Sequence, residues 1–313
     1  MQTTLSASLE ERILSGDLRA LARAASLLEN QSDSGRDLIA ALFPKTGRAL
    51  ILAFTGPPGV GKSTLVDQLT RILRLEGKTV GIIAVDPSSP YSRGAILGDR
   101  IRMQDHHNDP GVFIRSMATR GRLGGIAQGT LDVALLLDAA GRDVILIETV
   151  GVGQDEVDIA RLADVTVVVL APGFGDDIQA VKAGIMEIAD VFAINKADLP
   201  GAERLEQEIR AMQSLGSPLD RSNAAPLRRV VATEREGIVD LLSAVRTIHE
   251  KRGSQSTRTE IWATRLRELL VEDLLSRLPQ DTIDAYASRV AAKSLDPYSA
   301  VESLRKQLFS ERV

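Results

Sequence analysis

The chain contains no cysteine, only three histidines and few aromatic residues: one tryptophan, three tyrosines and six phenylalanines. The lack of cysteine excludes a disulfide framework, a thiolate site for zinc or iron–sulfur clusters, and a cysteine nucleophile, and it permits a reducing compartment. The 38 basic and 42 acidic side chains give a net charge of −4. A dedicated nucleic-acid binder needs a clustered basic excess, so we expect no nucleic-acid partner.

Long hydrophobic runs are also absent. The most apolar stretch, Val165 to Pro172, is far shorter than the roughly 20 residues that a membrane-spanning helix needs. The first 30 residues mix acidic and basic side chains into an apolar pattern, which is not typical of a signal or transit peptide. We therefore expect a cytoplasmic protein that does not enter a membrane.

Short apolar runs recur between amphipathic helical patterns. This alternation indicates an α/β fold with a mainly parallel sheet flanked by helices on both faces. The predicted strands are Ala49–Phe54, Val80–Val85, Val112–Ile114, Val144–Ile147, Thr166–Leu170, Val191–Ile194 and Val230–Val231. The predicted helices are Lys62–Glu76, Gly125–Ala140, Asp177–Ala189, Ala202–Leu215 and Gly237–Lys251.

Helical extensions are expected at both ends of this α/β body. The patterns divide the chain into an N-terminal helical extension over 1–45, a body over 46–252 and a C-terminal helical arm over 253–313. A polar linker precedes the arm, whose segment Ile261 to Leu278 carries a leucine stripe without a basic polar side. Such a stripe favours packing against protein over a membrane face.

The clearest motif is a glycine-rich loop between a predicted strand and a predicted helix. Residues 56–64 read Gly-Pro-Pro-Gly-Val-Gly-Lys-Ser-Thr, the P-loop pattern, in the structural context that this motif needs. Its backbone N–H groups face a phosphate, and the helix N-terminus adds a favourable dipole. We expect Lys62 to neutralise β- and γ-phosphate oxygens and Ser63 to bind magnesium. The predicted nucleotide contacts are Gly56, Pro58, Gly59, Val60, Gly61, Lys62, Ser63 and Thr64.

A second motif, Asn195-Lys196-Ala197-Asp198, follows a predicted strand at the edge where ligands bind in open α/β sheets. A carboxylate at Asp198 can accept from both N1–H and the exocyclic amino group of guanine, whereas adenine offers no such pair of donors. The motif therefore predicts GTP and GDP as ligands. Backbone contacts to the base are expected from Val231, Ala232 and Thr233.

Three carboxylates stand at strand ends or in loops: Asp86, Asp99 and Glu148. Magnesium prefers oxygen ligands and needs only one or two protein carboxylates, so these three and Ser63 form the predicted magnesium site. Glu148 begins an acidic-x-x-Gly pattern whose Gly151 is expected to contact the γ-phosphate and to release the loop after hydrolysis.

The residue after Gly151 is the apolar Val152, where small regulatory GTPases carry a glutamine that positions water. We therefore expect slow intrinsic hydrolysis, and a partner that completes the site or responds to it.

Taken together, these motifs resemble one family: the MeaB/ArgK-like GTPases, which belong to the P-loop class that includes signal-recognition-particle and metallochaperone GTPases. The resemblance runs from about Leu38 to Arg252, and Asp296-Pro297-Tyr298 is similar to the family's C-terminal tail. Beyond the phosphate and base motifs, the residues that carry it are Val85–Pro90, Ile96–Arg100, Leu123–Gly125, Glu148–Gln154 and Lys182–Asp190.

The resemblance implies a P-loop NTPase fold and a homodimer joined by the C-terminal arm. It implies a GTPase chaperone for an adenosylcobalamin-dependent acyl-CoA mutase, which gates cofactor loading and protects the mutase. It also assigns Lys62, Ser63, Asp86, Asp99 and Glu148 to the catalytic magnesium centre. A further switch facing the partner, within Gly173 to Lys182, would use Asp176, Gln179 and Lys182.

Two residues depart from the family pattern, Arg93 and Arg122. We interpret both as surface arginines, with a change in nucleotide contacts or partner choice as the alternative. Arg122 also belongs to a basic cluster with Arg115 and Arg120, interpreted as a solvated loop, with contact to phosphate, CoA or an acidic partner as the alternative.

Other functions stay open at the level of sequence. One is a kinase or ATPase of a lysine/arginine/ornithine transport system, which would need a base aimed at a protein hydroxyl and a route to the periplasm. Another is a metallochaperone-type GTPase, which the scarcity of metal ligands disfavours: His106 and His107 are adjacent and cannot form the i, i+4 pair of a zinc helix. A third is a protein that binds GTP without turnover.

Overall fold

The computed structural model describes residues 9–30, 32–86, 106, 108–118, 125–149, 163–173, 188–214, 224–252 and, with interruptions at 260, 261, 264, 265, 268, 272 and 276, residues 259–310. The chain forms two compact units, Met1–Gly253 and Ser254–Val313. The finer division into an N-terminal extension, a body and an arm stays a prediction.

The first unit is built on a seven-stranded sheet in which each neighbouring pair is parallel. The strand order is β3-β2-β4-β1-β5-β6-β7, so the first strand lies at the centre of the sheet. The strands are β1 Leu50–Thr55, β2 Val80–Asp86, β3 Val112–Ala118, β4 Val144–Glu148, β5 Val165–Leu170, β6 Val191–Ile194 and β7 Leu227–Arg229. The predicted parallel α/β fold is confirmed.

The predicted strand Val230–Val231 is wrong in its placement. The last strand ends at Arg229, and Val231 instead forms an isolated antiparallel bridge with Glu236. Both valines are buried, so the apolar run continues after the strand ends. Burial alone therefore does not mark the strand's last residue.

Helices cover both faces of the sheet. They are α1 Leu18–Glu29, α2 Asp33–Leu42, α3 Lys62–Leu75, α4 Gly125–Ala139, α5 Ala202–Ser214 and α6 Ile238–Arg252. Helices α3 and α6 pack on one face. The other face carries α4 with α1 and α2 over one half and α5 over the other half. Except for its last two residues, the predicted helix 177–189 lies outside the described residues.

Alternation along the central strand explains this double covering. Leu52 and Phe54 of β1 belong to the apolar cluster under α3 and α6, whereas Ile51, and Ala49 just before the strand, pack with the cluster under α1, α2 and α4. Because side chains alternate between the faces, a strand buried on both sides must be apolar at nearly every position.

At the amino ends of the strands, aspartates accept hydrogen bonds from backbone N–H groups. Asp138, at the end of α4, is buried and accepts from Gly47, Arg48 and Ala49 before β1. Three more aspartates stand directly before strands and bind neighbouring N–H groups at 2.7–2.9 Å: Asp143 to Thr79, Asp164 to Ile51 and Asp190 to Thr166. These hydrogen bonds connect neighbouring elements at the amino edge of the sheet and so stabilise the sheet.

We expect Asp138→Ala to lower the free energy of unfolding by about 3 kcal/mol, because it leaves three backbone N–H groups without their charged acceptor. Urea denaturation followed by circular dichroism measures this change. Asp37→Ala, at an exposed position of α2, is the matched control and should change stability by less than about 0.5 kcal/mol. Equal stabilities of the two variants would contradict the prediction.

The second unit contains α7, Gln280–Ala291, and α8, Pro297–Ser310. Asp296 begins α8 by accepting from the N–H groups of Tyr298 and Ser299. Before these helices, Leu266, Leu270 and Leu275 expose more than half of their surface. In the described part of the chain, no helix combines the length and the apolar character that crossing a bilayer would require.

Candidate nucleotide-binding site

The glycine-rich loop joins β1 to α3 at the carboxyl edge of the sheet. Two of its glycines have positive φ angles and no room for a side chain. A Cβ at Gly56 (φ 139°) would lie 2.0 Å from the Val169 carbonyl oxygen, and one at Gly61 (φ 94°) would lie 2.4 Å from Asn195 Nδ2. Only glycine fits both the backbone and the space, so the loop has the tight path that a phosphate cradle needs.

Lys62 is the first residue of α3 and is buried. Its ammonium Nζ donates to the carbonyl oxygens of Gly56 at 2.6 Å and Pro57 at 2.9 Å. A buried ammonium needs hydrogen-bond acceptors, and these two carbonyl oxygens keep the charged end of Lys62 against the loop rather than in solvent. The lysine is thus placed beside the backbone N–H groups that would surround a phosphate.

Ser63 and Glu148 meet although they are 85 residues apart. The Ser63 hydroxyl donates to Glu148 Oε1 at 2.5 Å. Glu148 is buried at the end of β4, where it is in register with Phe54 of β1, and the next N–H, of Thr149, donates to the Phe54 carbonyl at 3.0 Å. The sheet register therefore brings the carboxylate to the start of α3.

This pair fits magnesium, since a hydroxyl and a carboxylate oxygen are both hard ligands and magnesium keeps several waters. Within the described ranges, no group of three or more His, Cys, Asp or Glu side chains could hold a metal by itself. Asp86 ends β2, next to β4 in the sheet, so its backbone reaches the same edge. Asp99 and Gly151 lie outside the described residues, and the magnesium site stays a prediction.

Asn195 connects the base motif to the phosphate loop. It follows β6 and is buried. Its amide nitrogen donates to the Val60 carbonyl at 2.8 Å, and its amide oxygen accepts from the Ala232 N–H at 3.1 Å. One side chain therefore holds together the phosphate loop and the loop that follows β7.

The rest of the base motif is less buried than Asn195, with Lys196 and Ala197 intermediate in exposure. Lys196 has a left-handed backbone (φ 54°), and its ammonium donates to the Gly59 carbonyl at 2.9 Å. Asp198 is exposed, as is Thr233, while Val231 and Ala232 are buried. Thr64 is exposed on the first turn of α3. The two motifs thus share one edge of the sheet, and their contacts to a nucleotide stay predictions.

Several predicted residues lie outside the described part of the chain. They are Asp99, Gly151 and the switch residues Asp176, Gln179 and Lys182, the departures Arg93 and Arg122, and also Arg120 and His107.

The interpretation of Arg115 as part of a solvated loop is wrong. Arg115 lies in β3, and its guanidinium donates to both carboxylate oxygens of Glu29 on α1, at 2.5 and 2.7 Å, and to Ser26 at 3.1 Å. The N-terminal helix therefore has an ionic contact with the sheet. No local pattern could have found it, because the partners are 86 residues apart.

Comparison with known proteins agrees with this geometry. The family model described as methylmalonyl-CoA mutase-associated GTPase MeaB matches residues 21–283. A Pyrococcus abyssi protein named as a GTPase is 45% identical over 308 residues, which is 95% of each chain. The GTPase ArgK of Escherichia coli is 42% identical over 63% of this chain and 60% of its own. The mouse mitochondrial methylmalonic aciduria type A homolog is 30% identical over 94% of this chain and 77% of its own.

Two solved structures are informative. The crystal structure of a protein named LAO/AO transport system kinase matches with a TM-score of 0.73 and 27% identity, over 97% of this chain and 98% of its own. HypB from Helicobacter pylori, in complex with nickel, matches with a TM-score of 0.50 and 17% identity over 71% of this chain and 95% of its own, which shows a shared fold alone. From the family match over most of its length, this chain belongs to the MeaB family of methylmalonyl-CoA mutase-associated GTPases.

Proposed function

We propose that this GTPase is magnesium-dependent and acts as a chaperone for an adenosylcobalamin-dependent acyl-CoA mutase in the cytoplasm, where it gates cofactor loading and protects the mutase. The observation that carries the hydrolytic part is the meeting of Ser63 and Glu148 at the start of the helix whose first residue is the buried Lys62. The mutase as client is supported by the family description.

The loop and Lys62 bind the triphosphate. In the described contacts the Lys62 ammonium donates to two loop carbonyls, and phosphate oxygens replace them as acceptors when GTP enters. Ser63 and Glu148, together with Asp86 and Asp99, would hold magnesium, which when bound would supply positive charge to the β- and γ-phosphates.

Hydrolysis is an in-line displacement. A water oxygen forms a bond to the γ-phosphorus as the bond to the bridging β–γ oxygen breaks, which releases GDP and inorganic phosphate. Lys62 and the loop N–H groups stabilise the negative charge that develops on the bridging β–γ oxygen and the γ-phosphate oxygens. Gly151 holds the γ-phosphate until it leaves, and Val152 in place of a glutamine keeps the intrinsic rate low.

The base lies between the Asn195–Asp198 motif and the loop after β7. The Asp198 carboxylate accepts from N1–H and the exocyclic amino group of guanine, and the backbone at Val231, Ala232 and Thr233 lines the same pocket. The fixed contacts of Asn195 to both loops support this placement.

Two further features of the chain support binding to other proteins. The exposed leucines of the C-terminal unit, Leu266, Leu270 and Leu275, give a second copy of the chain an apolar surface, which supports a homodimer formed through the arm. Asp176, Gln179 and Lys182 form the switch that contacts the mutase.

The second candidate function is a transport-system kinase, favoured by the name of the protein in the matching crystal structure. A kinase transfers the γ-phosphate to a hydroxyl acceptor, whereas a GTPase releases inorganic phosphate from GTP and water alone. Phosphate release without an acceptor protein therefore separates the two. A metallochaperone role has weaker support, because the likeness to HypB extends only to the fold.

The client is tested by gel filtration of the protein with purified methylmalonyl-CoA mutase or isobutyryl-CoA mutase, in GDP and in a non-hydrolysable GTP analogue. We expect a complex with one mutase in at least one nucleotide state, and GTP hydrolysis at least about tenfold faster in that complex. Lys62→Ala, which should bind nucleotide poorly, controls for nucleotide dependence. If no mutase binds in any state, the chaperone role is wrong and the GTPase assignment survives.

A further inference from the structure

A polar contact joins the base side of the site to the helix that begins at the phosphate loop. Arg235, between β7 and α6, donates from Nε to Gln68 Oε1 on α3 at 2.9 Å. Gln68 in turn donates from Nε2 to Asp67 Oδ2, also at 2.9 Å. The three side chains form a continuous path from the loop after β7 to α3.

Asp67 gives this path a fixed end. It is buried on α3, its Oδ2 accepts from Arg71 Nε at 3.2 Å, and its Oδ1 lies 3.1 Å from His106 Nε2. Burial raises the pKa of Asp67, but the neighbouring His106 and Arg71 outweigh burial and lower it overall. The carboxylate therefore stays ionised at neutral pH and holds Gln68 in place.

The loop that presents Arg235 is itself constrained. The bridge between Val231 and Glu236 closes it with two backbone hydrogen bonds of 3.1 and 3.2 Å. Arg235 has a left-handed φ of 63°, and Gly237 packs so tightly that a Cβ there would lie 2.1 Å from the Arg229 carbonyl oxygen. A non-glycine residue in the left-handed region is strained, so the surrounding structure must fix this conformation.

We propose that Arg235 and Gln68 are positioning residues for guanine: they fix the loop that lines the base against the helix that begins at the phosphate loop. The inference rests on the proposed placement of the base beside Ala232 and Asp198. In this role neither residue needs to touch the nucleotide. Helix α3 starts with Lys62 and Ser63, so the contact between Arg235 and Gln68 helps to set the distance between the loop after β7 and the phosphate loop. It acts in addition to the contacts that Asn195 and Lys196 make with the phosphate loop.

The test is stopped-flow release of a fluorescent GDP from Arg235→Ala, Gln68→Leu and the double variant. One surface hydrogen bond corresponds to a change of about threefold to tenfold, so we expect GDP to dissociate faster by that factor with its association rate unchanged. Preference for GDP over inosine diphosphate, which lacks the exocyclic amino group, should fall by a similar factor. The double variant should be no worse than either single variant, because both remove the same contact.

Arg246→Ala is the matched control. Arg246 lies on α6 and binds both carboxylate oxygens of Glu76, at the far end of α3 from the phosphate loop. Arg246→Ala removes an exposed contact between α6 and the end of α3, away from the nucleotide. It should leave the GDP dissociation rate and the preference for GDP unchanged. Arg235→Lys should recover part of the effect, since an ammonium can still donate to Gln68.

Asp198→Ala separates this inference from the proposed function. If Asp198→Ala binds GDP as tightly as the wild type, the base does not lie there and the proposed site is wrong. If Asp198→Ala weakens GDP binding but Arg235→Ala behaves like Arg246→Ala, the site stands and the positioning role is overturned.

Discussion

Replacing Lys62 by alanine should slow single-turnover GTP hydrolysis at least about 100-fold, the scale of losing one preorganised charge or donor at developing negative charge. Lys62 is buried, and two carbonyl contacts already hold its ammonium across the phosphate loop. The measurement uses enzyme in excess over GTP, at protein concentrations far enough above the variant's Kd that all of the GTP is bound.

Lys78→Ala is the control for removing a lysine. Lys78 is half exposed and pairs with Asp143 at 3.6 Å, at the opposite edge of the sheet. We expect its hydrolysis rate to match the wild type. A Lys62→Ala rate within about tenfold of the wild type would show that transition-state charge is stabilised mainly elsewhere.

The phosphate loop could be predicted from the sequence because its glycines are consecutive with the residues that bind phosphate. Gly56 and Gly61 have positive φ angles, which favour glycine whatever surrounds them. The motif therefore records this backbone requirement, whereas the atoms that leave no room for a Cβ belong to the distant Val169 and Asn195. The central strands could also be predicted, because a strand buried on both faces has a continuous apolar run rather than alternating apolar and polar residues.

Contacts between distant charged residues could not be predicted. Arg115 pairs with Glu29 across 86 residues, and Asp67 lies beside His106. In a single sequence each of these side chains resembles an ordinary surface charge, because only the tertiary fold supplies its partner. The contact between Arg235 and Gln68, 167 residues apart, was missed for the same reason.

The position of a carboxylate relative to its strand separates two roles in this fold. Asp143, Asp164 and Asp190 each come directly before a strand and accept backbone N–H groups at the amino edge. Glu148 instead ends its strand and meets Ser63 at the carboxyl edge. Parallel strands bring all of their carboxyl ends to one edge, where ligands bind. An acidic residue after a strand is therefore the better candidate for chemistry.

Replacing Asp198 by asparagine should change which base the protein prefers. The amide oxygen can still accept from N1–H, but the amide nitrogen faces the exocyclic amino group of guanine with a donor. Xanthine carries a carbonyl oxygen at that position, which the amide nitrogen can bind. Because a polar site strongly rejects a mismatched donor, we expect GDP affinity to fall by about 100-fold and xanthosine diphosphate to become the preferred ligand.

Competition against a fluorescent nucleotide measures both affinities. Asp240→Asn, an exposed carboxylate on the first turn of α6, makes the same chemical change away from the base and should leave the GDP preference intact. Asp198 is exposed, so its replacement should not unfold the protein, and thermal denaturation of the variant checks this. GDP affinity within about threefold of the wild type, without a gain for xanthosine diphosphate, would mean that the base is recognised by other groups.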